Sequence, residues 1–141
     1  MNRDKLAAQL KTDEGSIPYA YKDSLGYLTI GVGRLIDKSK GGKLSDDEII
    51  YLLNNDIKEV EDDLDKHLPW WRRMSEARQR VIANMRFNLG MQGLIGFKNT
   101  LKAMESGRYD DAASGMLSSK WASQVGDRAK RLADIMRKGT D

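Results

Sequence analysis

The chain has no cysteine among its 141 residues, and it has a single histidine, His67. Without cysteine there is no disulfide and no thiolate nucleophile, a composition that suits a protein made in the cytosol. One histidine cannot form a His-rich metal site, and it makes a Ser-His-Asp triad hard to build. If the protein is an enzyme, carboxylates must carry the chemistry. We expect neither a metal nor an organic cofactor.

Long apolar segments are also missing. No apolar run approaches the roughly 20 residues that span a bilayer. The first five residues carry charges of both signs and lack the apolar segment of a secretory signal. We therefore expect synthesis in the bacterial cytoplasm and no stable membrane association. The length and the hydrophobic content of 40% predict one folded domain, 1–141, and we expect a monomer.

Charge is distributed unevenly. The net charge of +3 combines −4 over residues 1–71 with +7 over residues 72–141. A basic half favours anionic polymers, such as nucleic acid, teichoic acid or peptidoglycan, although a solvated lysine-rich surface explains it equally well. A helical nucleic-acid-binding module is an alternative function. The basic residues follow no single helix face, and no glycine turn indicates a helix-turn-helix, so we expect no nucleic acid partner.

The first part of the chain predicts a helix that ends at an acidic residue. Asn2 is a suitable N-cap, and apolar residues follow at helical spacing as far as Leu10. Gly15 stands where a C-terminal glycine ends a helix, and Pro18 prevents its continuation. Glu14 therefore lies at the end of the helix. This is a poor place for a structural carboxylate, because the helix dipole is negative there.

A change to alternating periodicity predicts a β-hairpin within residues 19–32, with its turn at residues 24–26. Asp23 closes the first strand, and Thr29 lies on the returning strand. If the hairpin packs against the end of the first helix, these two residues and Glu14 come to one surface.

The rest of the chain reads as helical. Ser45 and Glu48 form a capping box that opens a long helix, which runs to about Lys66. Further helices are predicted near residues 75–90, 97–104, 108–117 and 128–137. The fold class is α+β with two lobes. We expect a small helix plus β-hairpin lobe at about 13–50, a connecting helix at about 45–66, and an all-helical lobe at about 70–141 that includes the first helix.

Glycoside hydrolysis fits these constraints. It needs one protonated carboxyl group to give the leaving oxygen its proton and one ionised carboxylate on the other side of the sugar. Glu14 and Asp23 are candidates, and the hydroxyl of Thr29 can help to hold the attacking water. Two carboxylates nine positions apart are usually surface charges, so the spacing alone only suggests this chemistry.

The residues around this pair carry a more specific signal. Asp13-Glu14-Gly15 and the stretch 21–33 resemble the phage-type lysozyme (muramidase) family. Further matches run in the same order through most of the chain, at residues 55–57, 82–90, 96–101, Trp121 and 128–131. The resemblance implies the two-lobed lysozyme fold and an endolytic enzyme that cuts the β-1,4 bond between N-acetylmuramic acid and N-acetylglucosamine in peptidoglycan.

The resemblance also implies roles for individual residues. Glu14 matches the general acid, and Asp23 matches the second carboxylate, which acts as general base in an inverting reaction. This predicts a carboxyl separation of roughly 6.5–9.5 Å. Thr29 matches the residue that places the water or the sugar. Matches outside this group are Leu35, Phe87 and Thr100, which line the sugar cleft, and Arg128, which pairs with the catalytic glutamate.

The sequence departs from the family in several places. Where the T-even phage members have a histidine, this chain has Arg34, and the matching carboxylate, Asp56, is kept. We predict an Arg34–Asp56 ion pair, which would persist at alkaline pH because arginine does not titrate. Asn88 replaces a longer cleft amide, and Gly115 cannot make the sugar contact of its counterpart. The segment 35–45 is shorter, which predicts a two-stranded or barely three-stranded sheet.

The biological setting follows from the resemblance as an expectation. A phage or prophage endolysin without a signal peptide needs a holin to reach the periplasm, where it lyses the cell wall of the host. A processed domain of a tail-associated or toxin protein stays open. So does a lysozyme-like fold that only binds cell wall, although Glu14, Asp23 and Thr29 argue against a pure binder.

Overall fold

The computed structural model describes all residues, 1–141, and contains seven α-helices and one small antiparallel sheet. The α+β fold class is therefore confirmed. The chain divides into two compact units, Met1–Leu52 and Leu53–Asp141, and the boundary falls inside a helix. The elements are α1 (Arg3–Glu14), β1 (Ile17–Lys22), β2 (Leu28–Gly31), β3 (Arg34–Leu35), α2 (Asp46–His67), α3 (Glu76–Ile95), α4 (Lys98–Glu105), α5 (Tyr109–Leu117), α6 (Lys120–Val125) and α7 (Asp127–Lys138).

Helix α1 has the ends that the sequence predicts. The side chain of Asn2 accepts a hydrogen bond from the amide of Lys5 at 3.0 Å. Gly15 has a φ of 79° and donates its N–H to the carbonyl of Lys11 at 3.0 Å. A residue with a β-carbon rarely adopts this positive φ, so glycine suits the end of the helix. Helix α1 lies in the first unit, whereas we expected it in the helical lobe, and the lobe boundaries stay predictions.

The sheet has the order β1-β2-β3, and both pairs are antiparallel. Tyr21 pairs with Thr29 and Ile17 pairs with Gly31, with an irregularity of register between them. Thr29 also pairs with Leu35, so it lies on the central strand with a partner on each side. Strand β3 has only two residues, which confirms the barely three-stranded sheet expected from the short segment that follows.

Helix α2 begins with the predicted capping box. The Glu48 carboxylate accepts a hydrogen bond from the Ser45 amide at 2.8 Å, and the Ser45 hydroxyl accepts one from the Glu48 amide at 3.3 Å. The helix ends at His67, and Pro69 follows it. The capping box therefore fixes where the connecting helix starts, because it satisfies amides that have no partner within a helix.

The second unit is helical, and its core is rich in methionine. The fully buried side chains include Met85, Met104, Met116 and Met136, together with Ile82. Methionine has a flexible, unbranched side chain that fills irregular gaps, which suits a core formed where several short helices meet. None of the helices combines the length and the apolar character that a bilayer-spanning segment needs.

Two details of the second unit differ from the predictions. Helix α3 is interrupted at Gly90, where φ is 75° and ψ is 166°, but helical turns resume as far as Ile95. The predicted helix ends near residue 90. The glycine breaks the helix without ending it, because Leu94 is fully buried and gives the resumed turn a place in the core. Helix α6, with Ser119 as its N-cap, was not predicted.

Candidate active site

Glu14 is the last residue of α1, and it is exposed. Its side chain lies against the turn that joins β2 to β3. A methyl group built on the α-carbon of Gly33 in that turn would lie 2.8 Å from the Oε2 atom of Glu14. The carboxylate is therefore in contact with backbone, and the end of the helix and the sheet meet at this residue.

Asp23 is held by the turn between β1 and β2. Its Oδ1 atom accepts the amide of Leu25 at 2.9 Å and the amide of Tyr27 at 2.8 Å. The turn is closed further by the amide of Gly26, which donates to the Asp23 carbonyl at 3.0 Å. Both side-chain bonds end on Oδ1, so the turn makes no use of Oδ2. This fixes the direction of the carboxylate and leaves one oxygen for chemistry.

Thr29 lies on β2 and is buried, with 4% of its surface exposed. Its hydroxyl donates to the carbonyl of Tyr27 at 3.0 Å. Since the proton of the hydroxyl is used in this bond, the oxygen can accept a hydrogen bond but not donate a second one. A water held by Thr29 would therefore donate to it, which leaves the lone pairs of that water free.

Arg34 does not have the partner that we predicted. Its Nη1 atom lies 2.7 Å from Oε2 and 2.9 Å from Oε1 of Glu48. The structure thus pairs Arg34 with the capping residue of α2, and we correct the predicted pairing with Asp56. Asp56 itself is exposed on α2, two turns further along the helix. The nearer carboxylate is already anchored by Ser45, so it offers a preformed site for the guanidinium.

The pairing changes the electrostatics of the α2 start. The hydrogen bond from Arg34, followed by those from the amide and hydroxyl of Ser45, lowers the pKa of Glu48 to about 2. Asp37 is similar: hydrogen bonds from the Ser39 hydroxyl and the Leu28 amide lower the pKa of its carboxyl below the ordinary value. Both groups are ionised at neutral pH. Glu48 joins Arg34 of β3 to the start of α2, and Asp37 joins the loop after β3 to β2.

In the second unit, Arg128 donates two hydrogen bonds to the Oδ1 atom of Asn84, at 3.0 and 2.7 Å. Asn84, Arg128 and the half-exposed Phe87 line one groove of about 480 Å³. The structure therefore brings together Phe87, which was predicted to line the sugar cleft, and Arg128, which was predicted to pair with the catalytic glutamate. Asn84 was not singled out in the sequence, although it lies inside the family motif at residues 82–90. The pairing of Arg128 with Glu14 stays a prediction.

Three other predicted cleft residues are engaged in packing. The Oδ1 atom of Asn88 accepts the indole N–H of Trp121 at 2.8 Å, and Trp121 is buried in the core. Thr100 is only 6% exposed, and its hydroxyl lies over Gly115, where a β-carbon would come within 2.3 Å of it. Leu35 is half-buried on β3. The sugar-contact roles of these residues stay predictions.

The first unit also has a cavity of about 820 Å³. Its walls are mainly apolar side chains of β2 and the beginning of α2, and Arg34 and Glu48 lie at its edge. Glu14, Asp23 and Thr29 do not line it. This cavity is thus separate from the carboxylates that can perform acid–base chemistry.

Comparison with known proteins adds to this geometry. The family model for phage lysozyme matches residues 11–138 of the chain. Two probable T4-type lysozymes of Dictyostelium discoideum, numbered 1 and 2, are 28% and 29% identical to it. The matches cover 93% and 96% of this chain and 92% and 95% of those proteins. The pre-baseplate central spike protein Gp5 of Enterobacteria phage T4 is 28% identical over 95% of this chain, which spans 28% of the length of that protein.

Proposed function

The chain belongs to the phage lysozyme family and is a muramidase-type glycoside hydrolase, and we propose that Glu14 and Asp23 are its catalytic acid and base. The substrate is the glycan strand of bacterial peptidoglycan. The bond that breaks is the β-1,4 bond between N-acetylmuramic acid and N-acetylglucosamine.

The observation that carries the proposal is the way in which the hairpin turn holds Asp23. Two backbone amides fix its Oδ1 atom, at 2.9 and 2.8 Å, and Oδ2 is not used. A general base must point at the proton that it removes, and fixed hydrogen bonds provide this orientation before the substrate arrives. Glu14, at the end of α1, is exposed and so accessible to a glycosidic oxygen.

The reaction then proceeds in one displacement. Glu14, in its protonated form, gives its proton to the glycosidic oxygen as the bond from that oxygen to C1 of the sugar breaks. A water attacks C1 from the opposite face, and Oδ2 of Asp23 takes a proton from this water. The configuration at C1 is inverted, and the proton count balances, since one carboxyl group loses a proton and the other gains one. Thr29, as an acceptor, can hold the second hydrogen of the water.

The acid assignment is tested by turbidity loss of purified peptidoglycan. Glu14→Gln keeps the size of the side chain but cannot donate a proton, so we expect clearing at least 1,000-fold slower than wild type. Asp13→Asn is the matched control, because it removes an adjacent exposed carboxylate and should retain wild-type clearing. A Glu14→Gln variant that clears as fast as the control would exclude Glu14 as the acid.

The product distinguishes the inverting route from its alternatives. Proton NMR of freshly released ends should show the α-anomer first, because the substrate bond is β. A β-anomer that appears first would mean that Asp23 acts as a nucleophile. Anhydro-muramic ends in mass spectra would mean a lytic transglycosylase instead of a hydrolase.

We also propose that the enzyme acts as a monomeric endolysin that reaches the wall after a holin opens the membrane. Its basic second half suits an anionic wall, and this supports the proposal. Co-expression in a bacterial host is the test. Lysis should need both the enzyme and a holin, and lysis by the enzyme alone would argue for another route.

A further inference from the structure

Two glycines flank Val32 where the chain passes from β2 to β3, and both have a positive φ. Gly31 is the last residue of β2, and Gly33 lies in the turn. The φ of Gly31 is 69° and that of Gly33 is 63°. This conformation by itself explains glycine at both positions, because other residues rarely adopt it. The surroundings of the two glycines differ. A β-carbon on Gly31 would meet nothing within 4 Å, whereas one on Gly33 would collide with Glu14.

The collision involves three atoms of the Glu14 side chain. The β-carbon position on Gly33 is 2.8 Å from Oε2, 3.0 Å from Cδ and 3.1 Å from Cγ of Glu14. Carbon atoms in favourable contact are about 3.5–4.0 Å apart, so a methyl group does not fit there. Glu14 therefore lies along the bare α-carbon of Gly33, and three of its atoms use the space that a side chain would fill.

This contact restricts a side chain that has few other restraints in the first unit. Glu14 is exposed at the end of α1, and the ion pair of this unit joins Arg34 to Glu48 instead. A long side chain in that position has several rotamers available. The backbone of the β2–β3 turn blocks part of this range from one side. The Glu14 carboxylate therefore packs against the backbone of this turn.

We propose that Gly33 is a positioning residue for Glu14. The absence of a side chain at residue 33 lets the carboxylate settle against the turn and sets its direction toward the substrate. This inference rests on the proposed role of Glu14 as the acid. A displacement of a catalytic group by about 1 Å can cost on the order of 100-fold in rate, so a methyl group at this position has a measurable effect.

The test compares Gly33→Ala with Gly31→Ala. Both variants put alanine at a positive φ next to Val32, but only the first places a methyl group against Glu14. With solubilised glycan strands as substrate, we expect kcat of Gly33→Ala to fall by about 10- to 100-fold, with KM within about threefold of wild type. Gly31→Ala should keep the wild-type kcat. Equal losses in both variants, or no loss in Gly33→Ala, would overturn the proposal.

A stability measurement makes the contact itself testable. Thermal unfolding is recorded for Gly33→Ala in the wild-type background and in a Glu14→Ala background, in which the colliding atoms are gone. We expect the loss in Tm to be larger, by about 3 °C or more, when Glu14 is present. If Gly33→Ala folds only in the Glu14→Ala background, the contact is supported. If it fails to fold in both, glycine serves the backbone alone and the proposal is wrong.

The two proposals can fail separately. Full activity of Glu14→Gln would remove the acid role, while the coupling in Tm between residues 14 and 33 would still be seen. Loss of activity in Glu14→Gln together with an unaffected Gly33→Ala would keep the acid and reject the positioning role.

Discussion

Glu48 is the residue on which the charged contacts of the first unit converge. It caps α2 through Ser45 and binds the guanidinium of Arg34 on the strand side. Each contact needs the ionised carboxylate. Because the contacts lower the pKa of Glu48 in the folded protein to about 2, they contribute stability that depends on pH.

The sign of this dependence follows from the direction of the shift. A carboxyl with a lowered folded pKa stabilises the fold above its unfolded value of 4.5, and this contribution is lost as the pH falls toward about 2. We expect urea-induced unfolding to become easier over this interval in wild type and to change less steeply in Glu48→Gln. Asp47→Asn, an exposed neighbour in the same helical turn, is the control and should follow the wild-type curve. Parallel curves for wild type and Glu48→Gln would contradict the assignment.

Glu48 also shows which contacts of a residue can be predicted from the sequence and which cannot. The capping box was found because its partners are three positions apart and its spacing is local. The Arg34–Glu48 pair was missed because its partners are 14 positions apart, and the choice between Glu48 and Asp56 depends on where the sheet meets α2. Sequence spacing holds no information about that distance.

At the level of elements, the packing of α4 against α5 depends on one glycine. Gly115 on α5 leaves room for the hydroxyl of Thr100 on α4, and a β-carbon there would lie 2.3 Å from that oxygen. In an open helix, alanine in place of glycine stabilises by about 1 kcal/mol. Here the collision opposes this gain, because overpacking typically costs about 1–3 kcal/mol.

These magnitudes predict a change of sign. Gly115→Ala should destabilise the wild-type protein by about 1 kcal/mol. In a Thr100→Ala background, in which the colliding hydroxyl is absent, the same change should stabilise by about 1 kcal/mol. The free energy of unfolding from urea titration measures both, and Ser114→Ala, an exposed neighbour on α5, is the control. The same sign in both backgrounds would show that the helices do not meet in this way.

On the scale of the whole molecule, we expect the distribution of charge to control the attraction between the enzyme and peptidoglycan. The last 70 residues carry a net charge of +7, against −4 in the first 71. Basic residues such as Lys120 and Arg131 are exposed on the second unit. Peptidoglycan carries peptide carboxylates, so the second unit should supply most of the long-range attraction.

Binding to insoluble peptidoglycan, measured by sedimentation in the Glu14→Gln background to suppress the cleavage that we expect of wild type, tests this expectation. Lys120→Glu combined with Arg131→Glu should weaken binding about 10-fold at low salt and little at 1 M salt, where charges are screened within about 3 Å. Arg3→Glu combined with Lys5→Glu makes the same change of net charge on α1 and should have a smaller effect. Equal effects would mean that total charge, and not its location, controls binding.

Much of this protein is determined by its sequence alone. The ends of α1 and α2 and the hairpin turn follow from caps, glycines and periodicity, because these signals act between residues a few positions apart. The barely three-stranded sheet followed instead from the short segment 35–45, compared with the family that the sequence resembles. The same local patterns placed Glu14 at a helix end and Asp23 at a turn. They also carried the resemblance that the match to the phage lysozyme family confirmed.

The tertiary structure decided which groups touch. Arg34 is bound to Glu48, Arg128 to Asn84, and Glu14 lies on the bare α-carbon of Gly33. Of these partners, only Gly33 lay in the motif that contains Glu14. Contacts between distant positions depend on how helices and strands pack, and packing sums many weak interactions over the whole core. For this reason, sequence identified the catalytic candidates, and only the fold revealed that Glu14 lies against Gly33.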